Sequence, residues 1–276
     1  MHSFQPTTFN TFAEAYKHLA ETLLDSPTAE SRNAKTREIC DAQFRILQPN
    51  TSLALVGSRL RYMFAEALWY AAGDYTTPWI TNFSSFWPRI ADADGLISSN
   101  YGQRIFRATK TFNTAFKMLC ADPGSRQAIC HINQSADIFA TNKDIPCTMY
   151  LQFFIRKSQL HLSVHMRSND IWRGLTYDAP NFFLFQQTML YFLQSAGYDI
   201  TLGSYTHHAG SFHVYETEVK QLQKYCLAPL TDIPLQLKAP LINLDGSPTT
   251  KALKFYNSTS EGAFDVSKFT KHFLTI

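Results

Sequence analysis

From Gln159 to Met166, the apolar residues Leu160, Leu162, Val164 and Met166 alternate with His161, Ser163 and His165, the period-two pattern of a strand with one buried face. The preceding run, Cys147 to Ile155, is also β-like, so the two read as a hairpin turning at Arg156-Lys157-Ser158. Beyond the polar cluster Arg167-Ser168-Asn169-Asp170 comes a segment of another kind. From about Ala179 to Ser195 the chain is strongly apolar, with Phe182, Phe183, Phe185, Met189, Leu190, Phe192 and Leu193, and this predicts a buried helix. Pro180 fits its first turn, where the missing N–H is not needed. Any fold for this chain must bury both elements.

The remaining organisation is that of one domain. At 276 residues, 45% hydrophobic and 17% charged, the chain is a soluble globular type with material for one large core or two small ones. It has no internal repeat, low-complexity segment or linker-like stretch. Phe12, Tyr16, Leu19 and Leu23 recur at helical spacing, as do Leu60, Met63, Phe64, Ala67, Leu68 and Ala71 ahead of a stop at Gly73. A third helix is expected from about Arg104 to Leu119, striped by Phe106, Phe112 and Phe116. Gly210 to Tyr215 reads as a short strand with His213 and Tyr215 on one face. The last sixty residues, with Pro229, Pro234, Pro240 and Pro248, read as extended segments and turns.

Charge and cysteine usage narrow the functional classes. Twenty-five Lys and Arg against 22 Asp and Glu leave a net charge of +3, so bulk electrostatics call for neither a nucleic-acid nor a membrane partner. No apolar run approaches the roughly 18–20 residues that span a bilayer, and the start lacks signal-peptide character; a cytoplasmic protein is expected. Cys40, Cys120, Cys130, Cys147 and Cys226 are odd in number and form no C-x-x-C pair, which argues against a disulfide framework or metal site. Four of them are expected to be buried small apolar residues.

The specific signal begins at Asp144-Ile-Pro-Cys147-Thr-Met-Tyr-Leu-Gln152-Phe, followed by Met166-Arg167-Ser168-Asn169-Asp170. These residues resemble the thymidylate synthase family, in which P-C-x(4)-Q-F and then R-S-x-D-x-x-x-G mark a nucleophilic cysteine and a nucleotide-binding strand. Cys147, Gln152, Arg167, Ser168, Asp170 and Gly174 fill those positions. Glu66 in E-A-L-W-Y-x-x-G-D, Trp87, Asn100-Tyr101-Gly102, Asp122-Pro-x-Ser125-Arg126 and Gly210-x-x-His213-x-Tyr215 follow in family order. The resemblance covers roughly residues 10 to 220. It implies an α+β fold with a mixed β-sheet and packed helices, a single catalytic domain over residues 1–276 whose segment from about 220 to 276 stays poorly placed, and a homodimer formed through the sheet.

It also implies a reaction on a pyrimidine nucleotide. A pyrimidine is a poor nucleophile at C5, but addition of a thiolate at C6 makes C5 enamine-like and able to attack a one-carbon electrophile. Cys147 would be that thiolate, activated by Arg167 on the neighbouring strand; a buried structural cysteine is the alternative. By resemblance, C5 then attacks the iminium form of 5,10-methylenetetrahydrofolate, Tyr101 with ordered water removes the C5 proton, and Glu66 serves as general acid–base. Arg32 and Arg167, with Ser168 and with Arg126 from a second subunit, would hold the phosphate, for which guanidinium forks suit well. Gln127 stands where the family usually has a second arginine. Gln152 belongs to the substrate site, His213 and Tyr215 contact the sugar, and Trp87, Asp170 and Gly174 sit at the folate. No metal is called for.

One departure is informative. Where thymidylate synthases carry an asparagine that pairs with uracil O4 and N3–H, this chain has Asp178. A carboxyl can accept from the N4 amino group of cytosine and, when protonated, donate to N3. The same replacement marks the deoxycytidylate (dCMP) hydroxymethylases of phages, as does Thr148 beside the cysteine, so the resemblance is nearest to that branch and suggests a phage or biosynthetic-cluster origin. The expected activity is dCMP 5-hydroxymethylation, with water capturing the one-carbon unit. A reductive dCMP 5-methyltransferase, a CMP hydroxymethylase and a non-catalytic nucleotide- or RNA-binding relative stay open, although Ser168 favours a deoxynucleotide.

Overall fold

A computed structural model describes residues 6–31, 34–55, 58–139, 143–259 and 264–275. In chain order, strand β1 (Thr7–Phe9) leads to helix α1 (Phe12–Asp25), then to strands β2 (Thr28–Ser31), β3 (Ala34–Ile46) and β4 (Thr51–Leu53). Helices α2 (Ser58–Ala72), α3 (Thr77–Thr81) and α4 (Trp87–Ile90) follow, then a π-helical turn, Gln103–Ala108, and helix α5 (Thr111–Ala121). Next come β5 (Ile129–His131), α6 (Ser135–Phe139), β6 (Thr148–Arg156), β7 (Gln159–Asp170), a second π-helical turn, Ile171–Leu175, and α7 (Thr176–Ser195). The chain continues with β8 (Thr201–Tyr215), α8 (Glu216–Leu227), β9 (Asp232–Pro234), β10 (Gln236–Leu237), α9 (Thr250–Ser258), α10 (Val266–Phe273) and β11 (Leu274–Thr275).

The sheet runs β1-β3-β8-β7-β6-β5 with β2 paired to β3, and it is mixed: β7 and β8 are parallel, whereas β6–β7 and β3–β8 are antiparallel. The hairpin forms as expected. Lys157 and Ser158 take φ of 51° and 53° between the paired Arg156 and Gln159, the left-handed turn that matches strand twist. Leu160, Leu162 and Val164 are fully buried together with Leu151 and Phe153 of β6. Helix α7 fills the space beneath them. Phe183 meets Tyr205 of β8 edge-on at 4.8 Å, and Gln186 donates to the Leu160 and Gly203 carbonyls at 2.9 and 3.2 Å. These bonds satisfy the buried nitrogen of the amide, while its Oε1 is buried with no hydrogen-bond partner.

The opposite face of the sheet carries a row of rings across β5 to β8. Tyr150 stacks on His165 at 4.3 Å, His165 on His208 at 4.1 Å, and His131 lies 6.2 Å from Tyr150. Burial, and then repulsion from His208, hold His165 down to about 4, so this ring is uncharged near neutral pH.

Four expectations are corrected. The third helix is broken, because Lys110 adopts a left-handed φ of 53° between the π-helical turn and α5. Pro180 is an interior residue of α7, which starts at Thr176 directly after the second π-helical turn. The C-terminal region includes helix α8, which packs on α1, and helices α9 and α10, whose Phe255, Phe269 and Phe273 pack with Phe64 of α2 into an aromatic cluster. Of the cysteines only Cys130 is buried, and Cys40 is exposed on the sheet. Among the described residues no helix is long and apolar enough to cross a membrane.

The Asn100-Tyr101-Gly102 motif has a packing origin. Asn100 is fully buried and its side-chain amide donates to the carbonyls of Trp69 (3.2 Å) and Asp74 (2.7 Å), binding the loop to the end of α2. A Cβ at Gly102 would overlap the Tyr70 carbonyl. Gly102→Ala is therefore expected to push the Tyr101 segment off α2 and to destabilise the protein by about 1–3 kcal/mol, measured as a fall in urea midpoint at unchanged m-value.

Candidate active site

Four elements converge below the C-terminal end of β7. Helix α2 presents Glu66, the loop after α4 presents Tyr101, the segment entering β6 presents Cys147, and the start of α7 presents Asp178. Their approach is held by side chains. Ser99 binds Asp144 through its backbone amide at 2.7 Å and through its hydroxyl, joining the Tyr101 loop to the strand entry that carries Cys147. Arg104 adds a bidentate pair with Asp137, both bonds 2.7 Å, and donates to the Ile132 carbonyl.

Glu66 is 4% exposed. Its Oε1 accepts from the Tyr62 hydroxyl at 2.7 Å and its Oε2 from the Asn181 amide at 2.9 Å. Burial, and then repulsion from Asp178, push its pKa up from the ordinary 4.5 to about 8, against the opposing effect of these hydrogen bonds. Burial likewise raises Asp178 to about 6, while a 2.8 Å hydrogen bond from the Asn169 amide to its Oδ2 works the other way. Glu66 so placed keeps its proton at neutral pH, whereas Asp178 gives its proton up just below it. Tyr101 stacks between Tyr70 and Phe182, at 5.3 and 6.0 Å. Burial, then the charges of Asp178 and Cys147, keep its phenol well above the usual range, so it enters any reaction as a neutral hydroxyl.

Cys147 is half-buried. The Arg167 amide donates to its carbonyl at 2.8 Å, and the Arg167 guanidinium donates to the carbonyls of Pro146 (3.1 Å) and Ile145 (2.8 Å). This is the expected cross-strand juxtaposition, and it ties the arginine to the strand entry from which the cysteine projects.

A second cluster lies at the ends of β7 and β8. Asp170 Oδ1 accepts from the Trp172 and Arg173 amides, both at 2.6 Å, capping the π-helical turn. Its Oδ2 is buried with no hydrogen-bond partner and stands 4.0 Å from His213 Nε2. Burial raises Asp170 to about 7 and lowers His213 below its ordinary value. The His213 and Tyr215 rings meet edge-on at 5.3 Å, on one face of the strand as expected, and Arg173 covers Tyr215 at 4.7 Å. Ser168 is half-buried on β7 opposite Ser211 of β8.

The other expected site residues take varied places. Trp87 is only 5% exposed; its indole N–H donates to the Tyr62 hydroxyl at 3.1 Å, so it buttresses Glu66 through Tyr62. Gly174 packs against the Asn169–Asp178 pair. Arg126 is exposed, and its carbonyl accepts from Gln152 at 2.9 Å; no hydrogen bond or ion pair joins either residue to the Glu66 cluster. Arg32 lies outside the described residues. Sequence reasoning missed Tyr62, Asn169 and Asn181. Asn181, three residues after Asp178 on α7 and so on the same helical face, is the one that spacing pointed to. Among the described residues no group of three or more His, Cys, Asp or Glu is placed to hold a metal ion.

The family model for thymidylate synthase matches residues 14–260. The chain is also similar to a protein of Bacillus phage SP01 described as a deoxyuridylate hydroxymethyltransferase, 25% identical over 214 residues, which are 71% of this chain and 55% of that protein. The chain thus spans about half the length of this curated relative.

The raised carboxyls set the pH dependence of stability. A group whose folded pKa exceeds its unfolded value stabilises the fold fully below the unfolded pKa, and loses that contribution as pH rises through the folded one. Glu66, Asp170 and Asp178 all have this sign. Unfolding free energy is therefore expected to fall between the ordinary carboxylate range and about pH 8, and Glu66→Gln to flatten the upper part of the decline, measured by urea denaturation at stepped pH.

Proposed function

Because the chain belongs to the thymidylate synthase family, we propose that it is a folate-dependent transferase that modifies C5 of a pyrimidine nucleoside monophosphate, and that the reaction is 5-hydroxymethylation of dCMP. The observation that carries this reading is a protonatable Asp178 held beside Glu66; in this reading it faces the base edge. The hydroxymethyl product is favoured by the name of the phage relative. That name also supports a second reading, hydroxymethylation of dUMP.

The residues divide the work. Cys147 adds to C6 of the pyrimidine, with Arg167 ordering the strand entry around it. Arg167 and Ser168, with Arg32 and an Arg126 from a second subunit, hold the phosphate dianion. His213 and Tyr215 meet the sugar. Glu66, protonated at neutral pH, donates to the base edge, while Tyr62 and Asn181 keep it oriented. Tyr101, as a neutral hydroxyl, positions the water that takes the C5 proton, since its raised pKa excludes a free phenolate. 5,10-Methylenetetrahydrofolate supplies the one-carbon unit when bound. The unpartnered buried Asp170 Oδ2 fits an N–H donor of a pterin, with Gly174 close by. Trp87, sealed in the core, supports Glu66 through Tyr62.

The homodimer belongs to the same proposal. The ring row on the open sheet face and the exposed Arg126 suit a second copy packed on the sheet. Sedimentation equilibrium is expected to give twice the mass of one chain; a monomer at micromolar concentration would remove the shared phosphate site.

The decisive assay follows release of tritium from C5 of dCMP and dUMP. Wild type is expected to prefer dCMP, Asp178→Asn to shift that preference on the order of a hundredfold toward dUMP, and Cys147→Ser to abolish release. Turnover with no absorbance rise from dihydrofolate is expected; such a rise would make the enzyme a methyltransferase.

A further inference from the structure

A neutral carboxyl offers one donor and one acceptor, and its proton can sit on either oxygen. In one order the pair complements N4–H and N3 of cytosine; in the other it complements O4 and N3–H of uracil. Asp178 alone therefore does not choose between the two bases when protonated. Something must fix which oxygen keeps the proton.

The side chain in position to do so is Asn169. It is 3% exposed on β7, and its Nδ2 donates to Asp178 Oδ2 at 2.8 Å. An oxygen that receives an N–H bond offers its lone pair there and is the poorer site for a proton, so the proton of the neutral acid goes to Oδ1. The pair is also confined. A Cβ on Gly174 would lie 2.7 Å from Asn169 Nδ2 and 2.9 Å from Asp178 Oδ2, so any larger residue there would wedge it apart. Glu66, Tyr62, Tyr70, Tyr101 and Tyr205 share the electrostatic field of Asp178. Among the described residues, Asn169 is the one hydrogen-bond donor acting on its carboxyl.

We infer that Asn169 is the positioning residue that gives base recognition its direction: by holding Oδ2 as the acceptor it commits Asp178 to one of the two pyrimidines, and Gly174 keeps the contact intact. This rests on the proposed function only in that Asp178 faces the base edge. It holds whichever base is preferred.

The test is the ratio of kcat/KM for C5 tritium release from dCMP and dUMP, in wild type and in Asn169→Leu, which keeps the size and removes the donor. Wild type is expected to discriminate on the order of a hundredfold, and Asn169→Leu to fall below about tenfold by accepting the disfavoured base. The pH profile of the variant should also move upward, because the lost hydrogen bond favours the ionised acid. A merely structural role would lower both activities equally, leaving ratio and profile unchanged, and that result overturns the inference. So does a wild type that uses both nucleotides equally. If the leucine variant fails to fold, Asn169→Ala and calorimetric binding of each nucleotide read the same ratio. Wild type preferring dUMP would refute the cytosine reading alone; binding of neither nucleotide would refute both.

Discussion

A twenty-residue helix with almost no polar surface can be stable in water only if something covers it on every side. Helix α7 meets that condition by lying under the apolar face of β7 and β8, with α2 and α5 against its other sides. Much of the architecture follows from this. The sheet keeps one face for α7 and leaves the other to a row of histidines and tyrosines, and the helix brings its first turns to the end of β7. Asp178 and Asn181 are there because α7 starts there.

The same burial makes the site chemically useful. A carboxyl that loses water becomes harder to ionise, and two neighbouring carboxyls make each other harder still. Glu66 and Asp178 sit in that situation, each steadied by an amide, Asn181 for one and Asn169 for the other. The amides restrain the shift and fix the geometry. What results, beside a half-buried cysteine, is one acid protonated at neutral pH and a second that titrates just below it.

Much of this was legible in the residues. Alternation exposed the hairpin and its buried face, and composition exposed the buried helix. The spaced positions around Cys147 and Arg167 carried the family and the residues of the proposed site. Other parts were not legible. The break at Lys110 depends on a left-handed residue with no propensity to announce it. The C-terminal helices are short and gain stability from Phe64 and its neighbours on α2, which no local pattern contains. Trp87 read as a ligand platform because an aromatic motif does not say which way its ring faces.

Sequence alone determined which groups this protein has for chemistry: a cysteine after a proline, an arginine one strand away, and an aspartate where relatives carry an amide. It did so because reactive side chains are few and their spacing along strand and helix is regular. Only the tertiary structure decided how they behave. Whether Asp178 holds a proton, which of its oxygens is engaged, and why residue 174 must be glycine depend on burial and on Asn169, brought in from β7. Protonation is set by the local environment and hydrogen-bond partners, and these exist only once distant segments have packed together.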